Sequence, residues 1–213
     1  MLCVASFAQL PTFGIKGGLN LAKFTLSASQ DGQSISLSSK SLPTFNVGVF
    51  ADVKLPLTNF SVRPELNYAG QGGRFSTTNT EGGVTQTATT DEKLYYLQLP
   101  VNLLYHVPVI VGDVYFGAGP YAAKGLSGKI VAKSDDGNGG KSSTSMDIKF
   151  GSAEGDQMKS MQYGVDFVAG FKLKNGLLIN LNYNLGLSND VPTGGANGSN
   201  KSKVFGASVG YAF

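Results

Sequence analysis

Large apolar side chains recur at every second position through eight stretches of this chain, with small, polar or charged residues between them. The last stretch shows the pattern plainly: Phe205, Val209, Tyr211 and Phe213 stand on one parity, Gly206, Ser208, Gly210 and Ala212 on the other. A period of two is the mark of a strand with two unlike faces. The same alternation predicts strands over about 12–24 (Phe13, Ile15, Leu19, Leu21 against Lys16, Gly18, Asn20), 43–55 (Phe45, Val47, Val49, Val53 against Asn46, Gly48, Asp52, Lys54) and 59–71 (Phe60, Val62, Leu66, Tyr68 against Ser61, Arg63, Glu65, Asn67). It continues over 93–107, 159–173, 177–188 and the C-terminal segment, with Asn180, Asn182 and Asn184 on the polar side of the seventh. The fifth stretch, 113–126, has an ambiguous parity because Tyr115 and Phe116 are adjacent.

The connections alternate in length. Pro56–Thr58, Pro108–Gly112 and Lys174–Gly176 are short, and Asn175-Gly176 is a hairpin turn signal. The others, about 25–42, 72–92, 127–158 and 189–202, are long and rich in Ser, Thr, Gly, Asn and Asp. The aromatic residues sort into two belts: Phe13, Phe60, Tyr105, Phe171, Tyr211 and Phe213 towards the short turns, and Phe24, Phe45, Tyr68, Tyr95, Tyr163 and Phe205 towards the long loops. Strands long enough to cross a bilayer, short turns on one side, long loops on the other and two aromatic girdles predict an eight-stranded antiparallel up-and-down transmembrane β-barrel. Lipid leaves no backbone group unpaired, so such a sheet has to close. Pro64 and Pro100 fall inside strands, where each removes a ladder hydrogen bond and calls for a local bulge.

Composition agrees with this picture. The 29 glycines and only 15% charged residues in 213 are unusual for a helical protein, and no apolar run is long enough for a membrane helix. A net charge of +3 gives no case for a nucleic-acid partner. Leu2–Ala8 is apolar, and Ser6-Phe7-Ala8 before Gln9 fits a signal-peptidase site, so residues 1–8 read as the remnant of an export signal and 9–213 as the barrel domain. Cys3 is the only cysteine, which excludes an internal disulfide.

Several segments resemble a known family: Phe13–Asn20, Arg63-Pro64-Glu65-Leu66, Tyr95–Pro100, Gly117–Tyr121, Leu181–Leu187 and the Gly210-Tyr211-Ala212-Phe213 ending. Together they are similar to the outer-membrane β-barrel domain common in Bacteroidetes, the PorT-like barrels. The resemblance covers most of 12–213 outside the long loops. It implies eight strands with both termini in the periplasm, and no single activity; the family takes its name from a component of a secretion and gliding system.

The candidate chemistry is sparse. Gly117–Ala122 matches the dinucleotide fingerprint G-x-G-x-x-A, but Pro120, Gly125 and Gly128 deny the helix that must follow, so it reads as a glycine-rich strand. Gly140-Lys141-Ser142 lacks the first glycine of a phosphate-binding loop and reads as surface loop. His106, the only histidine, sits at the short-turn end and reads as a satisfied rim residue. Asp135-Asp136 is at most a weak contact for a surface cation. The expectation is therefore no catalytic site, no metal and no cofactor.

By parity Lys16, Lys54, Arg63, Glu65, Asp166, Lys172 and Asn182 face the lumen. There they predict a plugging network in which Arg63 or Lys172 pairs with Glu65 or Asp166; a narrow ion or small-solute conduit is the alternative. Val209, Tyr211 and Phe213 read as the insertion signal recognised by the barrel-assembly machinery. The expected setting is the bacterial outer membrane, with termini periplasmic and long loops extracellular, and outer-membrane lipids as partners. Any specific extracellular or secretion-system protein partner would be met by the loops, chiefly 127–158, whose Met146, Ile148, Phe150 and Met158 are too apolar for mere solvation.

Overall fold

The computed structural model describes residues 10–30, 33–151, 158–189 and 198–213; the export-signal reading of 1–8 lies outside them. Among the described residues the strands are β1 (Thr12–Gln30), β2 (Gln33–Ser38), β3 (Leu42–Lys54), β4 (Phe60–Glu81), β5 (Val84–Val109), β6 (Gly112–Asp135), β7 (Lys141–Asp147), β8 (Met161–Leu173), β9 (Leu177–Gly186) and β10 (Gly198–Ala212). Each of the ring strands β1, β3, β4, β5, β6, β8, β9 and β10 pairs antiparallel with its neighbours, and β10 pairs back onto β1 from Gly14↔Ala212 to Ala28↔Gly198. Eight strands thus close into a barrel, with β2 added to the upper part of β1 and β7 to the upper part of β6.

The two faces follow the sequence alternation. Phe13, Ile15, Leu19 and Leu21 of β1 and Phe205, Val209 and Tyr211 of β10 are exposed on the outside, while Lys16, Asn20, Ser202 and Ser208 are buried inside. An apolar exterior around a polar interior is the reverse of a soluble sandwich, and only lipid makes it stable. Tyr115 is buried in the lumen and Phe116 exposed outside, which settles the parity of β6.

Three expectations change. Much of the expected long connections is strand rather than loop: β1 runs on through 25–30 and turns back as β2, β4 and β5 run on past the apolar belt through 72–81 and 84–92 to a hairpin at Glu81–Val84, β6 and β7 form a second hairpin beside it, and β10 begins at Gly198. Phe24 is no belt residue; its even position in β1 turns it inward, where it is buried. The prolines cause no bulge. Pairing resumes in the same register on both sides of Pro64 and Pro100 (Pro64↔Val101 then Asn67↔Gln98; Pro100↔Tyr121 then Leu103↔Ala118), so each leaves a gap in the ladder without a slip. The register shift in the β5–β6 ladder lies at Tyr95/Tyr96.

Candidate functional site

The lumen holds most of the buried polar side chains and is the natural place to look for chemistry. At the short-turn end, Arg63 of β4 lies opposite Asp52 of β3 and donates to its Oδ2 from Nε at 3.2 Å and from Nη2 at 2.5 Å. Its guanidinium sits 5.0 Å from the ring centre of Phe50 and 4.3 Å from that of Tyr115. Leu104, Tyr115 and Val168 on one side, and Phe50, Leu178 and Ala212 on the other, close the barrel around this pair.

Above it, Lys16 Nζ donates to Glu65 Oε2 at 2.5 Å and Asn67 Nδ2 donates to the same oxygen at 3.0 Å. Gly48 makes this possible. It lies opposite Lys16 on one side and Asn67 on the other, and a Cβ there would collide with the Asn67 side chain. Asp166 Oδ2 accepts from Asn102 Nδ2 at 2.9 Å, and Tyr115 OH donates to Asn180 Oδ1 at 3.1 Å. Next comes a layer of amides. Asn46 Nδ2 donates to Asn20 Oδ1 at 2.6 Å, Asn182 Nδ2 to Asn184 Oδ1 at 3.1 Å, and Asn184 Nδ2 to Gln98 Oε1 at 3.0 Å. The void these amides enclose with Lys16, Asn67 and Asp166 is about 10 Å³, room for about one water. Gln71, Gln162 and Ser202 then chain across the barrel at 2.9 Å each.

The long-loop end is capped by apolar side chains: Phe24, Leu94, Tyr96, Tyr121 and Ala123 from the wall, with Ile148 and Met158 buried among them and Phe150 packed alongside. The apolar residues of 127–158 therefore divide. Ile148, Phe150 and Met158 fold over the barrel mouth, and Met146 on β7 is exposed.

The lumen residues picked from sequence are placed unequally. Lys16, Arg63, Glu65 and Asp166 are buried, and Asn182 is half-buried in the amide layer. The expected pairings are replaced: Arg63 takes Asp52, Glu65 takes Lys16, and Asp166 rests on an amide. Lys54 is exposed at the short-turn end and does not belong to the network; it is near the last rung of β3, where the lumen opens to solvent. Lys172 is half-buried near that rim and forms no ion pair with Glu65 or Asp166. Asp52 is the member that parity placed inside but the pairing scheme left out. The hairpin register, Lys54↔Ser61 and Val53↔Val62, puts it across from Arg63 and was the signal that identifies it.

Ser61, His106 and Asp52 meet at this same end. His106 Nε2 lies 2.8 Å from Ser61 Oγ and 3.9 Å from Asp52 Oδ2, and among the described residues His106 Nδ1 has no hydrogen-bond partner. In a hydrolytic triad the two ring nitrogens divide the serine and the carboxylate between them. Here one nitrogen faces both, and Ser61 is fully buried, so the cluster packs the rim of the Arg63–Asp52 pair. Asp135 and Asp136 are likewise structural: their carboxylates accept from the backbone of Gly137, Asn138 and Gly140 and shape the β6–β7 turn. Beyond the apolar belt, Arg74 donates to Asp91 at 2.5 and 2.8 Å and joins the extended parts of β4 and β5. That hydrogen bonding holds the Asp91 carboxyl below its ordinary range and raises the Arg74 guanidinium.

A closed ring with an apolar exterior, girdle aromatics and a side-chain-filled interior defines an outer-membrane β-barrel. The family model described as outer membrane protein beta-barrel domain matches residues 7–190, and the chain belongs to that family. No curated protein matches it. Among solved structures it is similar to Ail, the attachment invasion locus protein of Yersinia pestis, with 12% identity and a TM-score of 0.39 over 96% of this chain and 100% of the other. It is also similar to Neisserial surface protein A (14%, TM-score 0.42, 94% and 97%) and to the outer membrane protease OmpT of Escherichia coli (12%, TM-score 0.47, 95% and 97%).

Proposed function

We propose that this barrel is a membrane-embedded support that holds the β4–β5 and β6–β7 hairpins above the outer surface of the cell as a rigid interaction platform, with both termini in the periplasm. The observation that carries this reading is the contrast between the two halves of the molecule. The membrane half is filled by the Arg63–Asp52 and Lys16–Glu65 pairs and the amide layers, and the void that the amides enclose is about 10 Å³. The other half continues the sheet well past the belt, in strands with no membrane to cross. A filled lumen has no use as a solute path, and a raised sheet with Ser and Thr on both faces has no use in lipid. The resemblance to PorT-like barrels fits a scaffold role, and a secretion-system or extracellular protein is the partner class it suggests. The C-terminal Val209, Tyr211 and Phe213, all exposed outward, suit recognition by the barrel-assembly machinery.

The test has two arms. In planar bilayers the wild-type barrel is expected to be silent; large, steady conductance would replace the scaffold with a channel. In cells producing a Cys3→Ser, Thr78→Cys variant, a membrane-impermeant thiol reagent is expected to label Cys at position 78 without permeabilisation. Labelling only after the outer membrane is opened would reverse the proposed orientation.

A further inference from the structure

The outward-facing rows of side chains end differently at the two ends of the barrel. At the short-turn end they finish on Phe13 (β1), Val109 (β5), Val114 (β6) and Phe213 beyond β10. At the long-loop end the same rows finish on exposed lysines: Lys23 after Leu21, Lys203 and Lys201 after Phe205, Lys93 after Tyr95, and Lys124 after Ala122. The lysines near the short turns take no part in this: Lys16 and Lys172 lie on the inward parity, and Lys54 and Lys174 are at the turns. From Phe13 to Lys23 is about 33 Å along the strand, or about 25 Å along the barrel axis at the usual tilt. That is the height of the apolar band, so Lys23 stands where hydrocarbon gives way to headgroups.

Three of these lysines meet a like charge directly across a ladder. Lys23 is the register partner of Lys203, and Lys93 that of Lys129. Like charges in that position destabilise a sheet unless something neutralises them. Lys129 has Asp147 at 3.7 Å. Among the described residues no carboxylate reaches ion-pair distance of Lys23, Lys203 or Lys93. The β1–β10 and β5–β6 seams lie on opposite sides of the ring, so these cations form two separate posts.

We propose that the Lys23–Lys203 seam, with Lys201 above it, is a binding site for the phosphate groups of a phosphorylated glycolipid of the lipid A class in the outer leaflet, and that Lys93 with Lys124 forms a second, weaker post. An anion is what the opposed ammonium groups of Lys23 and Lys203 lack among the described residues. The acyl chains of such a lipid continue the contact down Leu21, Leu19 and Phe205 below the lysines, so site and belt form one surface. The inference rests on the proposed orientation, with the long-loop end in the outer leaflet.

The test is native mass spectrometry and heat-modifiability of the full chain in zwitterionic nanodiscs titrated with bisphosphorylated lipid A. Each lysine near an anionic surface contributes about 1 kcal/mol, so Lys23→Gln/Lys203→Gln is expected to weaken binding about tenfold or more. Without lipid A this variant should unfold at a higher temperature than wild type, because the cross-strand repulsion is gone. The control Lys54→Gln/Lys174→Gln should bind as wild type does. Equal binding of dephosphorylated lipid A, or unchanged affinity in the Lys23/Lys203 variant, would overturn the proposal, and inorganic phosphate reproducing the stabilisation would show a free-anion site instead. Nanodisc binding does not depend on cellular topology, so its failure is distinct from a failed surface labelling at position 78.

Discussion

At the scale of single residues, the lumen is organised by charge neutralisation. Arg63 and Asp52 are both buried in the part of the barrel that lipid surrounds, and each neutralises the other's charge there. Arg63→Ala is expected to destabilise the barrel by about 3–5 kcal/mol, because it strands the Asp52 carboxylate, and Asp52→Asn/Arg63→Leu should recover much of that loss. Urea unfolding in micelles followed by gel mobility checks both; equal losses in the single and double variants would show that the pair contributes by packing alone. Gly48 makes a second residue-scale case. Its missing Cβ lets Lys16 and Asn67 reach the same Glu65 oxygen, and Gly48→Ala brings a methyl group to 2.8 Å from the Leu66 carbonyl oxygen. The overpacking should cost about 1–3 kcal/mol by the same assay, although alanine has the higher strand propensity of the two. At the β3–β4 turn, Leu57 adopts φ of 60° with its side chain in solvent, a conformation glycine holds without penalty.

At the scale of elements, the membrane-crossing strands were legible in the sequence and their extensions were not, for one physical reason. Lipid on one side and lumen on the other force alternation, so Phe45–Val53 or Leu97–Tyr105 announce both strand and facing. Past the belt both faces of the sheet meet water. Ser76–Thr80 and Thr85–Thr90 are then polar at every position but Ala88 and carry no period, and their run of β-branched threonine was the remaining signal. The lumen site was legible as a set of inward positions. Its pairings were not, because partner choice depends on register: the turn that sets Lys54↔Ser61 also sets Asp52 against Arg63. The Arg74–Asp91 bridge ties the extension to the barrel. The folded Asp91 carboxyl lies below its ordinary value of 3.8, so the bridge is intact above that pH and is lost as pH falls through the lower, folded value. Amide exchange at Phe75 and Thr90 should therefore quicken below about pH 4, while exchange at Leu103 on the membrane-spanning part of β5 stays slow. Uniform quickening of both would mean that the barrel opens as a unit. Replacing 131–145 by Asn-Gly, which joins the paired residues Ile130 and Met146, should leave the barrel heat-modifiable, whereas Ile148→Asp should not, because Ile148 is buried in the mouth cluster.

At the scale of the whole molecule, stability comes from an arrangement that water would invert. The belt from Phe13 to Leu21 and from Tyr211 to Phe205 is held together by the β1–β10 seam, which leaves the ring no open edge in lipid. The lumen then fixes the register, since a one-residue slip would turn Arg63, Glu65 and Asp166 into lipid. Leu181 and Asn182 test this two-sidedness at a single height in β9. Leu181 points outward and is paired with Ala169 and Ala207, well inside the belt, while Asn182 points inward towards Asn184. Leu181→Arg should cost about 2–4 kcal/mol, the price of a guanidinium near the bilayer midplane. Asn182→Leu changes an amide for an apolar side chain of similar size and gives up one hydrogen bond, a loss of about 1 kcal/mol. Unfolding of both variants in bilayers of matched thickness measures the difference directly. If Asn182→Leu proved the more damaging of the two, the outward face of β9 would not be the lipid face, and the barrel would have to be read as one with its faces exchanged.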